Sequence, residues 1–154
     1  MNVLAAIIAG ISGTLLMSLL MAMAPVMGMP RMDIVSLLGT MFNPEGNRVV
    51  GWILHLMMGG IFALIYSALW SAGIGSSNIW GGLAFGAVHW LVAGLIMGGM
   101  PMLHSGIRAG NIEAPGVYMI NASGMMSFAG GLLGHLIYGL SVALIYGQIA
   151  RFAG

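Results

Sequence analysis

Four long apolar stretches without a single acidic or basic side chain constrain this chain more than any other feature. They cover residues 3–24, 49–70, 79–100 and 125–149, and Asp, Glu, Lys and Arg are absent from all four. A helix needs about 20 mostly apolar residues to cross the hydrocarbon core of a bilayer. The pattern therefore predicts an all-α integral membrane protein, a four-helix bundle that forms a single transmembrane domain over residues 1–154.

Composition excludes several classes of function. Charged residues make up 5% of the chain and apolar residues 60%, whereas a soluble domain carries about 25% charged residues. A net charge of +1 provides no basic stripe for nucleic acid. The absence of cysteine removes disulfides and thiolate ligands. No nucleotide-binding or nucleophile motif is present, so we do not expect an enzyme that works alone.

The polar residues fall in the connections between the spans and define two sides. The first and third connections lie on what we call side B, and both termini lie with the short second connection on side A. Side B carries Arg31, Arg48 and Arg108, against Arg151 on side A. This excess favours a cytoplasmic side B, but three against one leaves the orientation open. We expect a multi-pass protein of the inner (cytoplasmic) membrane with both termini on the same side.

A sequence repeat relates the second and fourth spans. Residues 55–66 read HLMMGGIFALIY and residues 135–146 read HLIYGLSVALIY, which are identical at seven of twelve positions. The first and third spans match more weakly, through Asn, Gly, Met and Pro residues at one constant offset. The pattern predicts two repeated transmembrane hairpins related by an axis along the membrane normal.

Two histidines occupy matching positions in this repeat, each with a glycine one helical turn before it and one after it. At 100° per residue these positions share one narrow helix face. The two faces consist of His55 with Gly51 and Gly59, and of His135 with Gly131 and Gly139. Imidazoles that face each other across a bundle can hold a haem iron, such as haem b, and flanking glycines leave room for the macrocycle.

Two further histidines belong to the third span and its end. His89 adds an imidazole at comparable depth, and His104 stands at the side B end, where we expect it near water. Neutral imidazole suits copper or zinc as well as haem. The alternative is that the histidines form polar contacts between helices and that the glycines allow close packing. Both interpretations stay open.

The methionines are distributed unevenly. Of 16, one is Met1, one is the mid-helix Met17, and 14 lie toward side B. Thioethers are soft ligands that select Cu(I), although methionines also form adaptable docking surfaces. The candidate metal ligands are His55, His89, His135, Met21, Met57, Met97 and Met100.

Three segments resemble a family of uncharacterised four-span bacterial membrane proteins. These are GWILH (51–55), HWLVAGLIMGGMPMLH (89–104) and GHLIYG (134–139). The resemblance implies the four-helix fold and a bacterial membrane location, and it implies no activity.

Two functions from different classes remain. The first is a non-catalytic accessory subunit of a larger membrane complex of the respiratory or oxidase type, which holds a haem or metal through its histidines. Its partners would be lipid together with other membrane subunits or further copies of the chain. The alternative is an independent copper-handling or copper-transporting protein with a methionine-rich rim and buried histidines. Partner co-purification would favour the first, and copper-dependent growth effects the second.

Overall fold

A computed structural model describes residues 1–152, and over this range the chain is helical without strands. The α-helices are α1 (Val3–Met23), α2 (Ile34–Gly39), α3 (Arg48–Ser71), α4 (Ile79–Gly99), α5 (Ser105–Arg108), α6 (Ile120–Ser123) and α7 (Met125–Phe152). Short 3₁₀ turns cover Ala24–Met27, Met100–Met102 and Val117–Met119.

Helices α1, α3, α4 and α7 are long and apolar enough to cross a membrane, as expected for a multi-pass membrane protein. Their ends lie within one residue of the predicted ones, except that α7 continues to Phe152 instead of ending at residue 149. Asparagine side chains fix three of the starts, because Asn2, Asn47 and Asn78 each accept hydrogen bonds from backbone N–H groups of the first turn. These bonds satisfy groups that have no partner within the helix.

The four long helices pack in the order α3, α1, α7, α4. Helix α1 contacts α3 on one side and α7 on the other, and α7 also contacts α4. The backbones of α3 and α4 stay apart, although only a short turn joins them. The bundle therefore has three close helix–helix interfaces and one wider one.

Glycines bring the helices of each hairpin together. A β-carbon added to Gly10 of α1 would lie 2.5 Å from the Gly59 oxygen and 2.8 Å from the Ala63 β-carbon. At the α4–α7 interface, one added to Gly82 would lie 2.7 Å from the Gly139 oxygen and 2.8 Å from the β-carbon of Ala143 (the repeat partner of Ala63). The sequence alignment of the first and third spans pairs Gly10 with Gly86, however. The glycine that makes the equivalent contact is Gly82, one helical turn away from Gly86. The repeat itself stays a prediction.

Aromatic rings fill the wider interface between α3 and α4. The ring of Phe62 stacks on that of His89 with centroids 3.7 Å apart, and the Tyr66 hydroxyl donates a 2.9 Å hydrogen bond to the Phe85 carbonyl. Trp70 and Phe85 meet nearer side A, with centroids 5.5 Å apart. Because planar side chains rather than glycines lie between α3 and α4, these two helices stay apart and leave a space between them on the side B half.

The side B connections fold over the bundle and bury His104, contrary to the expectation that it lies near water. His104 is 1% exposed. Its Nδ1 accepts a hydrogen bond from the Ile107 N–H, so Nε2 carries the hydrogen that is donated to the Leu37 carbonyl at 2.8 Å. The backbone N–H of Gly106 also bonds to the Thr40 carbonyl. His104 thus joins the first and third connections, and a short loop contact of this kind has no periodic signal in the sequence.

Candidate functional site

The three histidines of the long helices line one small central cavity of about 90 Å³. All four long helices contribute to it, together with Met32 and Ile34 of the first connection and Met119 of the third. Its lining is mostly apolar and consists of Thr14, Met17, Met21, Met32, Ile34, His55, Met58, Gly59, Phe62, His89, Ala93, Met97, Met119, Gly131, His135 and Tyr138. No Asp or Glu is among these described residues, so the cavity offers no anionic partner to an imidazolium.

His89 is held between α3 and α7. Its Nδ1 lies 3.2 Å from the Tyr66 hydroxyl oxygen, and the only hydrogen of that hydroxyl is donated to the Phe85 carbonyl. The Nδ1–H of His89 must therefore be the donor to Tyr66. In the neutral ring, Nε2 then keeps a free lone pair.

His135 forms the close histidine pair with His89. The two ring centroids lie 4.8 Å apart with the planes at 84°. The Nδ1 of His135 lies 2.7 Å from the Gly131 carbonyl oxygen, which can only accept, so Nδ1 carries the hydrogen. The Nε2 atom of neutral His135 also keeps its lone pair.

His55 also has one ring nitrogen bonded to a protein oxygen, which belongs to Ser18 of α1. Its Nε2 lies 3.2 Å from the Ser18 hydroxyl oxygen, and that hydroxyl donates to the Thr14 carbonyl at 2.7 Å. The ring nitrogen must be the donor to Ser18, which leaves the lone pair on Nδ1. Each of the three imidazoles therefore has one N–H committed to a protein oxygen and one nitrogen available as an acceptor.

Six methionines share the cavity with these rings. Of the four methionines predicted as ligands, Met21 and Met97 line it, whereas Met100 lies outside it and Met57 is a half-exposed residue on the outer face of α3. The structure adds Met17, Met32, Met58 and Met119. Residues Tyr118 and Met119 both adopt positive φ, at 54° and 58°. This conformation is costly for non-glycine residues, and it accompanies the position of Met119 at the cavity.

The four predicted glycines separate into two pairs. Gly59 and Gly131 line the cavity. Beside Gly51, the space that a side chain would need is filled by the backbone of Val35, and beside Gly139 it is filled by the backbone of Gly82 and Gly86. Gly51 and Gly139 thus lie in helix packing away from the cavity, whereas Gly59 lines the cavity and also packs against Gly10 and Thr14 of α1.

A larger groove of about 590 Å³ opens between α3 and α4 on the side B half. It is almost wholly apolar, and it shares five residues with the central cavity: Ile34, Met58, Phe62, Ala93 and Met97. Met41, Met100 and Met102 line it as well. Together, the cavity and the groove are lined by nine of the 16 methionines of the chain.

Within residues 1–152 no group of three or more His, Cys, Asp or Glu side chains is arranged to hold a metal ion. The close pair of nitrogen donors is His89 with His135, and the most numerous further donors of the cavity lining are six thioethers. The sequence did not predict that Tyr66 and Ser18 are the hydrogen-bond partners of His89 and His55. A tyrosine on the histidine face of α3 was visible, but the spacing alone could not pair it with a ring on another helix.

Comparison with known proteins gives one match. The family model described as "Family of unknown function (DUF6789)" covers residues 1–153. No curated protein and no solved structure matches the chain. The resemblance to an uncharacterised four-span membrane family is thereby confirmed, and the chain belongs to the DUF6789 family, whose function is unknown.

Proposed function

We propose that this protein binds Cu(I) inside the membrane and handles it through the central cavity, with His89 and His135 as nitrogen ligands and cavity methionines as sulfur ligands. The observation that carries the proposal is the hydrogen-bonding state of the histidines. Each neutral ring has its N–H engaged with a protein oxygen and keeps one lone pair. A site of this kind takes an electron-pair acceptor, which is a metal ion or a hydrogen-bond donor.

The second supporting observation is the arrangement around the ligands. Histidines that bind metals almost always donate their other ring N–H to a carbonyl or another acceptor, which fixes the tautomer and the ring orientation. Gly131 supplies a carbonyl of this type to His135, and Tyr66 supplies an oxygen to His89. These bonds orient the pair before any ion arrives.

The identity of the ion follows from the type of donor. Hard cations such as Mg²⁺ and Ca²⁺ prefer oxygen ligands, and no carboxylate lines the cavity in the part of the chain that the structure describes. Soft thioethers select Cu(I), and six of them line the cavity. A monovalent ion also adds less charge to a low-dielectric site than a divalent one.

The volume of the cavity favours an ion over haem. The central cavity has a volume of about 90 Å³. Pockets for ligands of drug size have about 300–1,000 Å³. In addition, the close pair is His89 with His135, whereas the haem hypothesis needs His55 opposite His135.

The accessory-subunit function stays a prediction. Binding of copper is compatible with a place in a larger complex, and we give priority to the ion because named side chains support it. We further infer that both termini lie on one side of a bacterial inner membrane. The Asn2 N–H at the start of α1 donates to the Tyr146 hydroxyl near the end of α7, which supports the common side, and helical spans are typical of inner membranes.

The test is an anaerobic titration of the purified full chain with Cu(I) against a chromophoric chelator. We expect one ion for each chain. The variants His89→Asn and His135→Asn keep a side-chain N–H near the Nδ1 position and lose the Nε2 lone pair, so each should weaken binding at least about 100-fold. Met57→Leu is the matched control, since Met57 lies outside the cavity, and it should bind like the wild type.

Two outcomes would overturn the proposal. In the first, the asparagine variants bind Cu(I) as tightly as the wild type. In the second, a reduced-minus-oxidised absorption spectrum of the protein shows haem bands that disappear in His135→Asn.

A further inference from the structure

A second cavity, of about 280 Å³, lies between α1 and the start of α3 on side B. We call it the vestibule. It mixes polar and apolar side chains and is lined by Ser18, Met21, Ala22, Pro25, Arg31, Met32, Asp33, Ile34, Val35, Arg48 and Trp52. Its volume is enough for several water molecules, and its polar lining distinguishes it from the larger, almost wholly apolar groove between α3 and α4.

Charged side chains form the rim of the vestibule. The Asp33 carboxylate lies 2.9 Å from a guanidinium nitrogen of Arg48 and 3.7 Å from one of Arg31. Partial burial opposes ionisation of Asp33, but hydrogen bonds from Arg48 and from the Ser36 N–H outweigh it and hold the pKa of this carboxyl below its ordinary value. The rim is therefore ionic at neutral pH, as expected for a surface in contact with water.

The floor of the vestibule is one wall of the central cavity. Met21, Met32 and Ile34 line both, so the wall is one side chain thick. Met21 is 8% exposed and Met32 is 5% exposed. Ser18, deeper in the vestibule, has its hydroxyl oxygen 3.2 Å from His55 Nε2. The vestibule thus meets the central cavity at these three side chains, and its Ser18 hydroxyl reaches His55 directly.

We propose that the vestibule is the water-filled entrance through which Cu(I) passes from side B into the central cavity, with Met21 and Met32 as a thioether gate between the two. The identity of the ion in this inference rests on the proposed function. The presence of water rests only on the volume and the polar lining of the vestibule. Methionine is unbranched with three rotatable bonds, so the gate opens by side-chain rotation. The other opening, the apolar groove, faces lipid, and an ion crossing it would lose its hydration.

The first test uses the absence of native cysteine, which makes single-cysteine variants specific. Reconstituted protein is treated with an anionic, membrane-impermeant methanethiosulfonate. We expect modification of Ala22→Cys and Ser18→Cys in the vestibule, each from one side of the membrane only. The matched control is Leu19→Cys, since this residue of the same helix is 57% exposed but absent from the vestibule, and it should not react. If the methanethiosulfonate does not modify Ser18→Cys, or modifies it from side A, the proposal of an aqueous entrance from side B is wrong.

The second test measures the rate at which Cu(I) loads into the protein and the rate at which an excess of chelator withdraws bound Cu(I). Met21→Leu and Met32→Leu conserve volume and remove sulfur, and because a gate acts on entry and exit alike, we expect the loading rate and the withdrawal rate to change together by at least about 10-fold. Faster withdrawal at an unchanged loading rate would identify a lost ligand and refute the gate. Met102→Leu, in the lipid-facing groove, is the control and should exchange at the wild-type rate. Unchanged exchange in both gate variants, or an effect of Met102→Leu alone, would refute the gate.

The two proposals fail differently. If no Cu(I) binds but Ser18→Cys still reacts from one side, the proposed function is wrong and the aqueous entrance stands. If Cu(I) binds but Ser18→Cys is protected, the site stands and the entrance is wrong.

Discussion

A pair of adjacent glycines in α3 allows a sharp test of how the bundle is held together. A β-carbon added to Gly59 would overlap the Thr14 hydroxyl of α1 and lie 3.1 Å from the Gly10 oxygen, whereas one added to Gly60 meets nothing within 4 Å. Thr14 already uses its hydroxyl in a 2.8 Å bond to the Gly10 carbonyl. The substitution Gly59→Ala must therefore separate α1 from α3 or displace this hydroxyl.

The magnitude follows from these contacts. Overpacking of a well-packed core costs about 1–3 kcal/mol, and we expect Gly59→Ala in the upper half of this range because the obstacle includes backbone. For Gly60→Ala the cost of overpacking is absent. Its gain in helix propensity is small, because helices in detergent stay largely helical when they separate, so we expect a change within about 0.5 kcal/mol.

The assay is unfolding in mixed micelles with increasing dodecyl sulfate, monitored by tryptophan fluorescence. Both variants replace glycine by alanine on one helix at neighbouring positions, so any difference between them reports on the α1–α3 contact. Equal midpoints for Gly59→Ala and Gly60→Ala would refute the argument that glycine backbones set this interface.

Three further predictions concern single side chains. Tyr66→Phe removes the acceptor for the Nδ1–H of His89 and should weaken Cu(I) binding about 10–100-fold in the chelator titration, whereas Tyr118→Phe, which lies outside the cavity, should not; equal affinities would contradict the role of Tyr66. Asp33→Asn should destabilise the protein at neutral pH. Because the pKa of Asp33 is lowered by folding, the difference from the wild type in unfolding midpoint should persist above about pH 5 and shrink as pH falls below about 4; a difference independent of pH would contradict it. His104→Leu should cost about 1–3 kcal/mol in the same unfolding assay, since it removes the acceptor of the Ile107 N–H and one of the donors to the Leu37 carbonyl, and a neutral effect would contradict this.

The four long helices were predictable because their signal is local. An uncharged stretch of more than 20 apolar residues has few stable alternatives to a membrane helix, since every backbone polar group in lipid needs a partner within the segment. The connections gave no such signal. The burial of His104 depends on a carbonyl 67 positions earlier in the chain, and no periodicity records that distance.

The histidines illustrate the same limit. The repeat pointed to His55 and His135 as a facing pair, because their positions within the helices match. The ring in contact with His135 is instead that of His89, and His55 is bonded to Ser18 of α1. Spacing along one helix defines a face but not its rotation toward a neighbour. That rotation depends on which interfaces close on glycine and which are held open by rings such as Phe62.

The unequal interfaces also have a mechanical consequence. Three of the four contacts around the bundle bring a glycine against the neighbouring helix and leave little room for sliding, while the α3–α4 contact is made of planar rings that can slip past one another. When a bilayer is thinner or thicker than the helices, membrane proteins adjust by changing tilt, and here the adjustment should concentrate between α3 and α4. The stacked pair of Phe62 and His89 lies at that contact, so the thickness of the surrounding lipid should influence the geometry of the histidine site.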